Sequence, residues 1–399
     1  MPLHIAPLLH ATLLRLILLL ACVPLVYYLF AIYSALNFFS SEPKPAPASW
    51  APPVSVLKPV RGLDREAYEN FSSYCRQDYP QYEILFAADD ADDPAVPVIR
   101  RLMRDFPAKP IRLLLRAPRL GASSKINKLC LLAREASHDL LVISDSDVRV
   151  EPQHLRQVAA PFADPQVGAV TALFRGMVAG DLASELDCLG ATTSFLPSVL
   201  VSRKLEGMKF TLGATMATTK RCLAEIGGFE AFVNHHSDDF ELGHRIAARG
   251  YRIELLREPV WMVYPRQTFR GFLQHERRWS VGVRNVRPFA HFGLLFSQGL
   301  FWALLAAAIA PAAWIAALYL AAYLVLRFTV AWTAGVWGLR DPVVRRKFWL
   351  APLYDALTFG VWLASFASNR IRWRGEEFEI RRGILVPLGN SRSAAAKRE

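Results

Sequence analysis

The chain has 399 residues, of which 53% are hydrophobic and 21% are charged, and its formal net charge is +12. This mixture is too apolar for an ordinary soluble protein and too charged for a bundle made only of membrane helices, so we expect a soluble domain with membrane segments. Basic residues lie beside apolar runs, which favours contact with a membrane surface over binding of nucleic acid. The cysteines are scattered and indicate neither a disulfide framework nor a zinc site.

The first predicted element is an apolar helix near the N-terminus. Residues 16–41 carry no charged side chain, and at ~1.5 Å per residue this stretch can cross the ~30 Å hydrocarbon core of a bilayer. It lacks a small-residue cleavage site, so residues 1–41 are predicted to be a retained membrane anchor. The proline-rich residues 42–53 are predicted to be a stiff linker.

A soluble α/β domain is predicted for residues 54–287. Apolar runs that are typical of buried strands alternate there with segments of helical spacing, which predicts a mainly parallel sheet with helices on both faces. The predicted strands are 54–60, 82–90, 111–116 and the run that ends near residue 145. Since ligands of such sheets bind beyond the carboxyl ends of the strands, polar residues at those ends are candidates for a site.

The run LVISDSDVRV places Asp145 and Asp147 at the end of one predicted strand. Where the chain turns, both carboxylates can face one hard cation, and Mg²⁺ or Mn²⁺ takes oxygen ligands and keeps phosphates in its shell. The pair therefore suits a metal that holds a diphosphate. Asp-x-Asp pairs also occur in ordinary solvated turns, and that alternative stays open.

Two further acidic motifs have both a functional and a structural interpretation. The stretch AADDADDPA places Asp90 and Asp93 after another strand, where a carboxylate can bind a nucleoside or cap the next helix. The stretch HHSDDFELGHR places Asp238 and Asp239 at the start of an amphipathic helix. One cap needs one carboxylate, so the other is free to act as a general base.

A second apolar region follows residue 287. Residues 288–326 carry no Asp, Glu, Lys or Arg and, with the apolar run after them, are long enough for two spans that turn near Pro311. Residues 348–369 form either a third span or an interfacial helix. We therefore predict membrane or interfacial helices over 288–369 and a basic tail over 370–399. The basic residues at 340–347 predict a cytoplasmic loop, and a two-span hairpin leaves the soluble domain cytoplasmic too.

Together these motifs resemble those of the ceramide glucosyltransferases, glycosyltransferase family 21, and of bacterial relatives that glycosylate lipids. The resemblance covers nearly the whole chain and rests on VSVLKP, DDPA, SKIN, SDSDVRV, DDF, RRW and RWRGEEFEIRRG. It implies a GT-A type nucleotide-diphospho-sugar transferase domain flanked by membrane helices. It also implies an inverting transfer from a UDP-sugar that uses Mg²⁺ or Mn²⁺.

The resemblance also implies roles for individual residues. Three aspartate motifs of the family fall on Asp90 and Asp93 (nucleotide-sugar binding), on Asp145 with Asp147 (a metal pair) and on Asp239 (the general base), and the (Q/R)xxRW motif falls on His275, Arg278 and Trp279 (diphosphate or acceptor contacts). Lys125 is a further candidate for the nucleotide-sugar group, and Asp238 for the diphosphate or acceptor group. The last motif departs from the family at its first position, which is His275 rather than Gln or Arg. A histidine there can still donate a hydrogen bond, with less fixed charge.

The acceptor implied is a membrane lipid with a hydroxyl group. Ceramide with a glucose donor is one pairing, and a hopanoid such as bacteriohopanetetrol with an N-acetylglucosamine donor is another. The composition favours a bacterial inner membrane. A processive polysaccharide synthase of the same superfamily is an alternative that needs more spans, and a non-catalytic membrane scaffold leaves the aspartate motifs unexplained. Nothing in the sequence indicates an oligomeric state.

Overall fold

The structure, a computed structural model, describes residues 5–41, 50–373 and 376–388. Its helices are α1 (Ile5–Leu20), α2 (Val23–Ser40), α3 (Ala67–Cys75), α4 (Ala95–Asp105), α5 (Ser124–Glu135), α6 (His154–Ala159), α7 (Leu182–Gly190), α8 (Leu196–Glu206), α9 (Lys220–Glu225), α10 (Asp238–Ala248), α11 (Phe269–Val286), α12 (Pro288–Gly293), α13 (Gly299–Ile309), α14 (Ala313–Val330), α15 (Pro342–Lys347) and α16 (Ala351–Ser365). Its strands are β1 (Val54–Pro59), β2 (Tyr82–Ala88), β3 (Ile111–Leu115), β4 (Leu140–Ile143), β5 (Val148–Arg149), β6 (Val167–Met177), β7 (Met216–Thr219), β8 (Arg252–Val263), β9 (Arg370–Trp373), β10 (Glu376–Arg381) and β11 (Ile384–Pro387).

The central sheet is mixed and mostly parallel, with the strand order β3-β2-β1-β4-β7-β6-β8-β5. Strands β1 to β4 are mutually parallel, β7 runs antiparallel between β4 and β6, and β6 pairs in parallel with β8. The predicted α/β class and all four predicted strands are confirmed. Strands β1, β2 and β4 are buried along their whole length, which is why their sequences are continuous apolar runs.

The register of the sheet brings two strand ends together. Leu57 of β1 pairs with Ile143 at the end of β4, and Pro59 at the end of β1 pairs with Ala87 of β2. The acidic stretches that follow β2 and β4 therefore leave the same edge of the sheet. Helix α5 begins beside this edge. It starts at Ser124 because the hydroxyl of Ser123 caps the helix by accepting a hydrogen bond from the Ile126 amide, 3.4 Å away.

Two helical segments within the described residues are long and apolar enough to cross a membrane, Thr12–Ser40 and Ala313–Gly338. The first is interrupted near Cys22 between α1 and α2. Helices α12 and α13, with the turn between them, form a pair bent by 50°, which is either one broken span, and then the third candidate, or a re-entrant loop. The turn between α13 and α14 contains Pro311, as predicted. Helix α16 has 15 residues, which is shorter than the ~20 residues that a transmembrane helix needs.

The described part of the predicted basic tail forms a small antiparallel sheet, which the sequence analysis did not anticipate. Its strand order is β11-β10-β9. Arg382 and Gly383 turn the chain between β10 and β11 with φ angles of 50° and 81°, values that suit a tight hairpin. Most of the predicted linker, residues 42–49, lies outside the described residues, as do residues 389–399.

Candidate active site

A cavity of about 870 Å³ lies beyond the carboxyl edge of the sheet. Part of its wall comes from residues at strand and helix ends, among them Asp145 and Asp239. Another part comes from the apolar helices, with Tyr28 on α2 and Arg327 on α14. The same cavity therefore joins polar groups of the sheet edge to side chains of the candidate membrane spans.

Lys125 lies between two of the predicted carboxylates. Its Nζ atom is 2.7 Å from Oδ1 of Asp145 and 2.9 Å from Oδ2 of Asp238. Lys125 comes from the first turn of α5, Asp145 follows β4, and Asp238 begins α10, so three separate elements meet at one cation. Burial opposes the charge on Lys125, but the two carboxylates outweigh it and raise its pKa above the ordinary value.

Asp239 has the properties of a group that can accept a proton. Its Oδ1 atom accepts a hydrogen bond from the Phe240 amide at 2.8 Å, and its main-chain oxygen accepts one from the Thr211 hydroxyl at 2.7 Å. Burial in the cavity wall, followed by the charge of Asp238, raises the pKa of Asp239 to about 7. A carboxyl group with such a pKa suits general acid–base chemistry near neutral pH.

Gly213 lies where the polar groups converge, and sequence reasoning missed it. A Cβ atom at this position would be 3.3 Å from Oδ2 of Asp145, 3.7 Å from Oδ2 of Asp239 and 3.9 Å from Nζ of Lys125. The absence of a side chain at Gly213 thus keeps open the space between the predicted metal pair and the predicted base. The feature of the sequence that could have indicated this residue is a single glycine in the middle of the run TLGATMA.

Lys58 supports the turn that carries Asp145, and the sequence analysis did not identify it either. The buried Nζ atom donates to the main-chain oxygen of Asp145 at 2.7 Å and lies 4.1 Å from the centre of the Tyr74 ring. The Ser144 hydroxyl is a further acceptor for Nζ at 3.4 Å. Burial lowers the pKa of Lys58 to about 7. The signal was a single lysine within the buried strand VSVLKP.

Asp145 and Asp147 both line the cavity, and they suit a hard divalent cation. No group of three His, Cys, Asp or Glu side chains is arranged to hold a metal ion in the part of the chain that the structure describes. Two carboxylates are enough for Mg²⁺, which usually binds one or two carboxylates and takes its other ligands from water and substrate phosphates. The donor set therefore fits a metal that is shared with a diphosphate.

The structure does not bring Asp90 and Asp93 to the cavity wall. Asp93 accepts hydrogen bonds from the Gly62 amide at 2.9 Å and from the Ala95 amide at 2.9 Å, so it ties the loop after β1 to the start of α4. Asp90 is exposed and accepts a hydrogen bond from the Asp92 amide at 2.9 Å. Neither carboxylate is among the residues that line the cavity, and their contact with a nucleotide stays a prediction.

The predicted (Q/R)xxRW motif lies on α11 and faces the cavity. The Nε1 atom of Trp279 donates to Nε2 of His275 at 3.0 Å, and Nδ1 of His275 is 2.9 Å from Oδ2 of Asp187. Because Nε2 accepts, we assign the proton to Nδ1, which then donates to Asp187. Histidine thus still donates a hydrogen bond at this position, and it holds the Trp279 ring beside Phe195, with ring centroids 5.5 Å apart.

Glu276, also on α11, adds a partly buried acid to the cavity wall. Both of its carboxyl oxygens are 3.3 Å from the Tyr354 hydroxyl on α16. Burial, followed by the charge of Asp187, raises the pKa of Glu276 to about 8. Sequence reasoning had no means to separate it from the exposed acidic residues around it, because its burial depends on contact with α16.

Comparisons with known proteins agree with the fold and with the motifs. A family model described as glycosyl transferase family 21 matches residues 16–386. Ceramide glucosyltransferase 3 of Caenorhabditis elegans is 24% identical over 84% of this chain and 75% of its own length, and ceramide glucosyltransferase 1 is 24% identical over 64% and 55%. The chain thus spans little more than half the length of the second relative.

A solved structure shows the fold independently. A mannosyltransferase from Pyrobaculum calidifontis, solved with GDP-Man and Mn²⁺, superposes with a TM-score of 0.53 at 21% sequence identity. The match covers 88% of this chain and 99% of the other. The predicted GT-A type fold and the predicted family resemblance are both confirmed.

Proposed function

The chain belongs to glycosyl transferase family 21 and is a glycosyltransferase, and from that premise we propose that it moves a sugar from a UDP-sugar to a hydroxyl group of a membrane lipid. The observation that carries the proposal is the composition of the cavity wall, which includes Asp145 and Asp239 as well as Tyr28 and Arg327 of the apolar helices. An amphiphile can keep its apolar part among the spans while its polar end reaches Asp239. The ceramide glucosyltransferases among the relatives support a lipid acceptor.

We assign the donor diphosphate to the sheet edge. Asp145 and Asp147 would hold Mg²⁺ or Mn²⁺, which when bound neutralises charge on a diphosphate leaving group. Lys125 and Arg278, both on the cavity wall, add positive charge for the same group. Asp238 keeps Lys125 in place through the ion pair of 2.9 Å.

The nucleoside is assigned to the loops that leave β1 and β2. Asp93 fixes the loop after β1 through the Gly62 amide, and the neighbouring Arg61 reaches the cavity wall. Asp90 is exposed at the end of β2 and is proposed as an acceptor for a base N–H or a ribose hydroxyl. In this arrangement Asp93 acts by positioning a loop.

Asp239 is the proposed general base for an inverting transfer. Its carboxylate takes the proton of the lipid hydroxyl while the oxygen forms a bond to the anomeric carbon. The bond from that carbon to the diphosphate oxygen breaks on the opposite face, and the electron pair leaves with UDP. A pKa of about 7 leaves Asp239 largely deprotonated at slightly alkaline pH. Trp279, held by His275, lines the acceptor side.

The relatives favour ceramide and glucose as the first pairing to test, and a hopanoid with N-acetylglucosamine is the second. The two candidate spans, or three with the bent pair, support an integral membrane protein and are few for a polymer channel. The basic residues at 340–347 favour a catalytic domain that faces the cytoplasm, in a bacterial inner membrane.

The proposal is tested with purified full-length protein in detergent. UDP-glucose or UDP-N-acetylglucosamine is combined with ceramide or bacteriohopanetetrol, with Mg²⁺ or Mn²⁺ present, and products are identified by mass spectrometry. We expect a hexose adduct of ceramide or an N-acetylhexosamine adduct of the hopanoid. A soluble sugar polymer in place of a lipid adduct would favour a processive synthase. The absence of any lipid adduct with every combination of donor and acceptor would contradict the proposal.

A further inference from the structure

The C-terminal sheet is hydrogen-bonded to the loop that precedes the proposed base. The His236 amide donates to the main-chain oxygen of Gly383 at 2.9 Å, and the Leu385 amide donates to that of Asn234 at 2.7 Å. The loop of residues 234–237 leads directly into α10, which begins with Asp238 and Asp239. The hairpin between β10 and β11 therefore fixes the main chain from which α10 starts.

Trp373 of β9 lies between this loop and α11. Its ring packs edge-on against His236, with centroids 5.8 Å apart, and the guanidinium carbon of Arg278 lies 5.7 Å from the centre of the indole. His236 in turn fits against Gly282 of α11, where a Cβ atom would be 2.8 Å from the imidazole. Trp373 also lines the cavity. One indole ring thus contacts both the loop before Asp239 and the arginine of the (Q/R)xxRW motif.

The C-terminal sheet also contacts α11 and the loop after β1. Val281 of α11 belongs to a buried apolar cluster whose other members come from the C-terminal sheet, namely Ile371, Phe378, Ile380 and Leu385. Glu376 of β10 forms an ion pair of 2.7 Å with Arg61 in the loop after β1. The sheet therefore joins three segments that line the cavity.

We propose that Trp373 is a positioning residue that holds Arg278 and the loop 234–237 in place, so that the C-terminal sheet is a working part of the active site. An indole whose centre lies 5.7 Å from the guanidinium carbon, within cation–π range, restricts the direction of Arg278, and an edge contact with His236 restricts the start of α10. Loss of the ring frees both at once, and a small displacement of aligned groups lowers the rate of transfer. The proposal rests on the proposed function for its kinetic measurement only.

The experiment compares Trp373→Ala, Trp373→Phe and Glu377→Ala in the full-length protein. Glu377 is an exposed residue of the same sheet and does not line the cavity, which makes it a suitable control. Hydrogen–deuterium exchange of amides in residues 234–240 and steady-state kinetics of transfer are measured on each. We expect exchange in Trp373→Ala to rise by ~10-fold or more, and kcat to fall ~10-fold to ~100-fold while the lipid KM changes little.

Trp373→Phe should recover most of both properties, because a ring remains, and Glu377→Ala should match the unmodified protein. Trp373→Leu, which keeps apolar volume, replaces the alanine variant if that variant does not fold. Unchanged exchange and kcat in the alanine or leucine variant would overturn the proposal, as would an equal change in Glu377→Ala. If the unmodified protein transfers no sugar to any lipid, the proposed function fails, while the exchange comparison still decides the role of Trp373.

Discussion

The ammonium group of Lys125 lies 2.7 Å from a carboxylate oxygen of Asp145. This contact links the first turn of α5 to the acidic turn after β4. The same ammonium group forms a second ion pair with the carboxylate of Asp238, at the start of α10. The carboxylates of Asp145, Asp238 and Asp239 would repel one another strongly if no positive charge lay among them. The charge of Lys125 therefore offsets the negative charge around Asp239 and lowers its pKa. Its two ion pairs also hold the three elements together.

The first prediction concerns the pH dependence of transfer. Since the pKa of Asp239 is raised to about 7 and its deprotonated form is the proposed base, kcat/KM should rise with pH through about 7 and level off above it. A profile that is flat between about pH 5 and 9 would contradict the assignment. Asp238→Asn removes a charge that raises this pKa, so the midpoint should move to lower pH. Lys125→Met removes a charge that lowers it, so the midpoint should move to higher pH.

The second prediction concerns the open space at Gly213. Gly213→Ala places a methyl group 3.3 Å from Oδ2 of Asp145, so we expect transfer to fall by ~10-fold to ~100-fold with little loss of thermal stability. The matched control is Gly360→Ala on α16, where a Cβ atom meets nothing within 4 Å. Equal activity in the two variants, measured under saturating donor, would show that the space at Gly213 is not used.

The third prediction concerns the support that Lys58 gives to the proposed metal pair, Asp145 and Asp147. Lys58→Met keeps most of the side-chain volume but removes the hydrogen bond of 2.7 Å to the Asp145 main chain. The concentration of Mn²⁺ that half-saturates the enzyme should rise by ~10-fold to ~100-fold, as for other groups that orient metal ligands. Lys209→Met, at a side chain that is 54% exposed, is the control. An unchanged Mn²⁺ requirement in Lys58→Met would remove Lys58 from this role.

The fourth prediction concerns the ion pair between α14 and α16. Arg327 and Asp355 are almost fully buried, with an Nε to Oδ2 distance of 2.8 Å. Arg327→Leu leaves a buried carboxylate without its partner and should destabilise the protein by ~3 kcal/mol or more. The double variant Arg327→Leu with Asp355→Leu should recover most of that loss. Thermal unfolding in detergent measures both, and a double variant that is less stable than Arg327→Leu would contradict the interpretation.

Much of the fold is predictable because its determinants are local. Strands β1, β2 and β4 are buried along their whole length, so their apolar runs stand out from the amphipathic helices between them. The parallel arrangement then places Asp145 and Asp147 at the carboxyl edge without further information. The C-terminal sheet was missed because Arg and Glu at its exposed positions conceal an apolar alternation, in which Ile371, Phe378 and Ile380 face Val281.

The parts of the site that escaped prediction depend on contacts between distant segments. Trp373 meets Arg278 across 95 positions of sequence, and no local pattern encodes that contact. Asp93 was predicted to contact the nucleotide, which stays a prediction, and its hydrogen bonds from the main-chain amides of Gly62 and Ala95 were not anticipated. The main-chain amides that a carboxylate will cap are not visible before the fold is known.

The most direct test of the central claim compares the unmodified protein with Asp239→Asn and follows the mass of the lipid product from UDP-glucose and ceramide, with the second donor and acceptor pair in parallel. Asparagine keeps the shape of the side chain but cannot take the proton. We predict a glycolipid from the unmodified protein and a rate lower by ~100-fold to ~10,000-fold in the variant, with unchanged thermal stability to confirm folding. A variant that forms glycolipid at the full rate would contradict the claim that Asp239 activates the lipid hydroxyl.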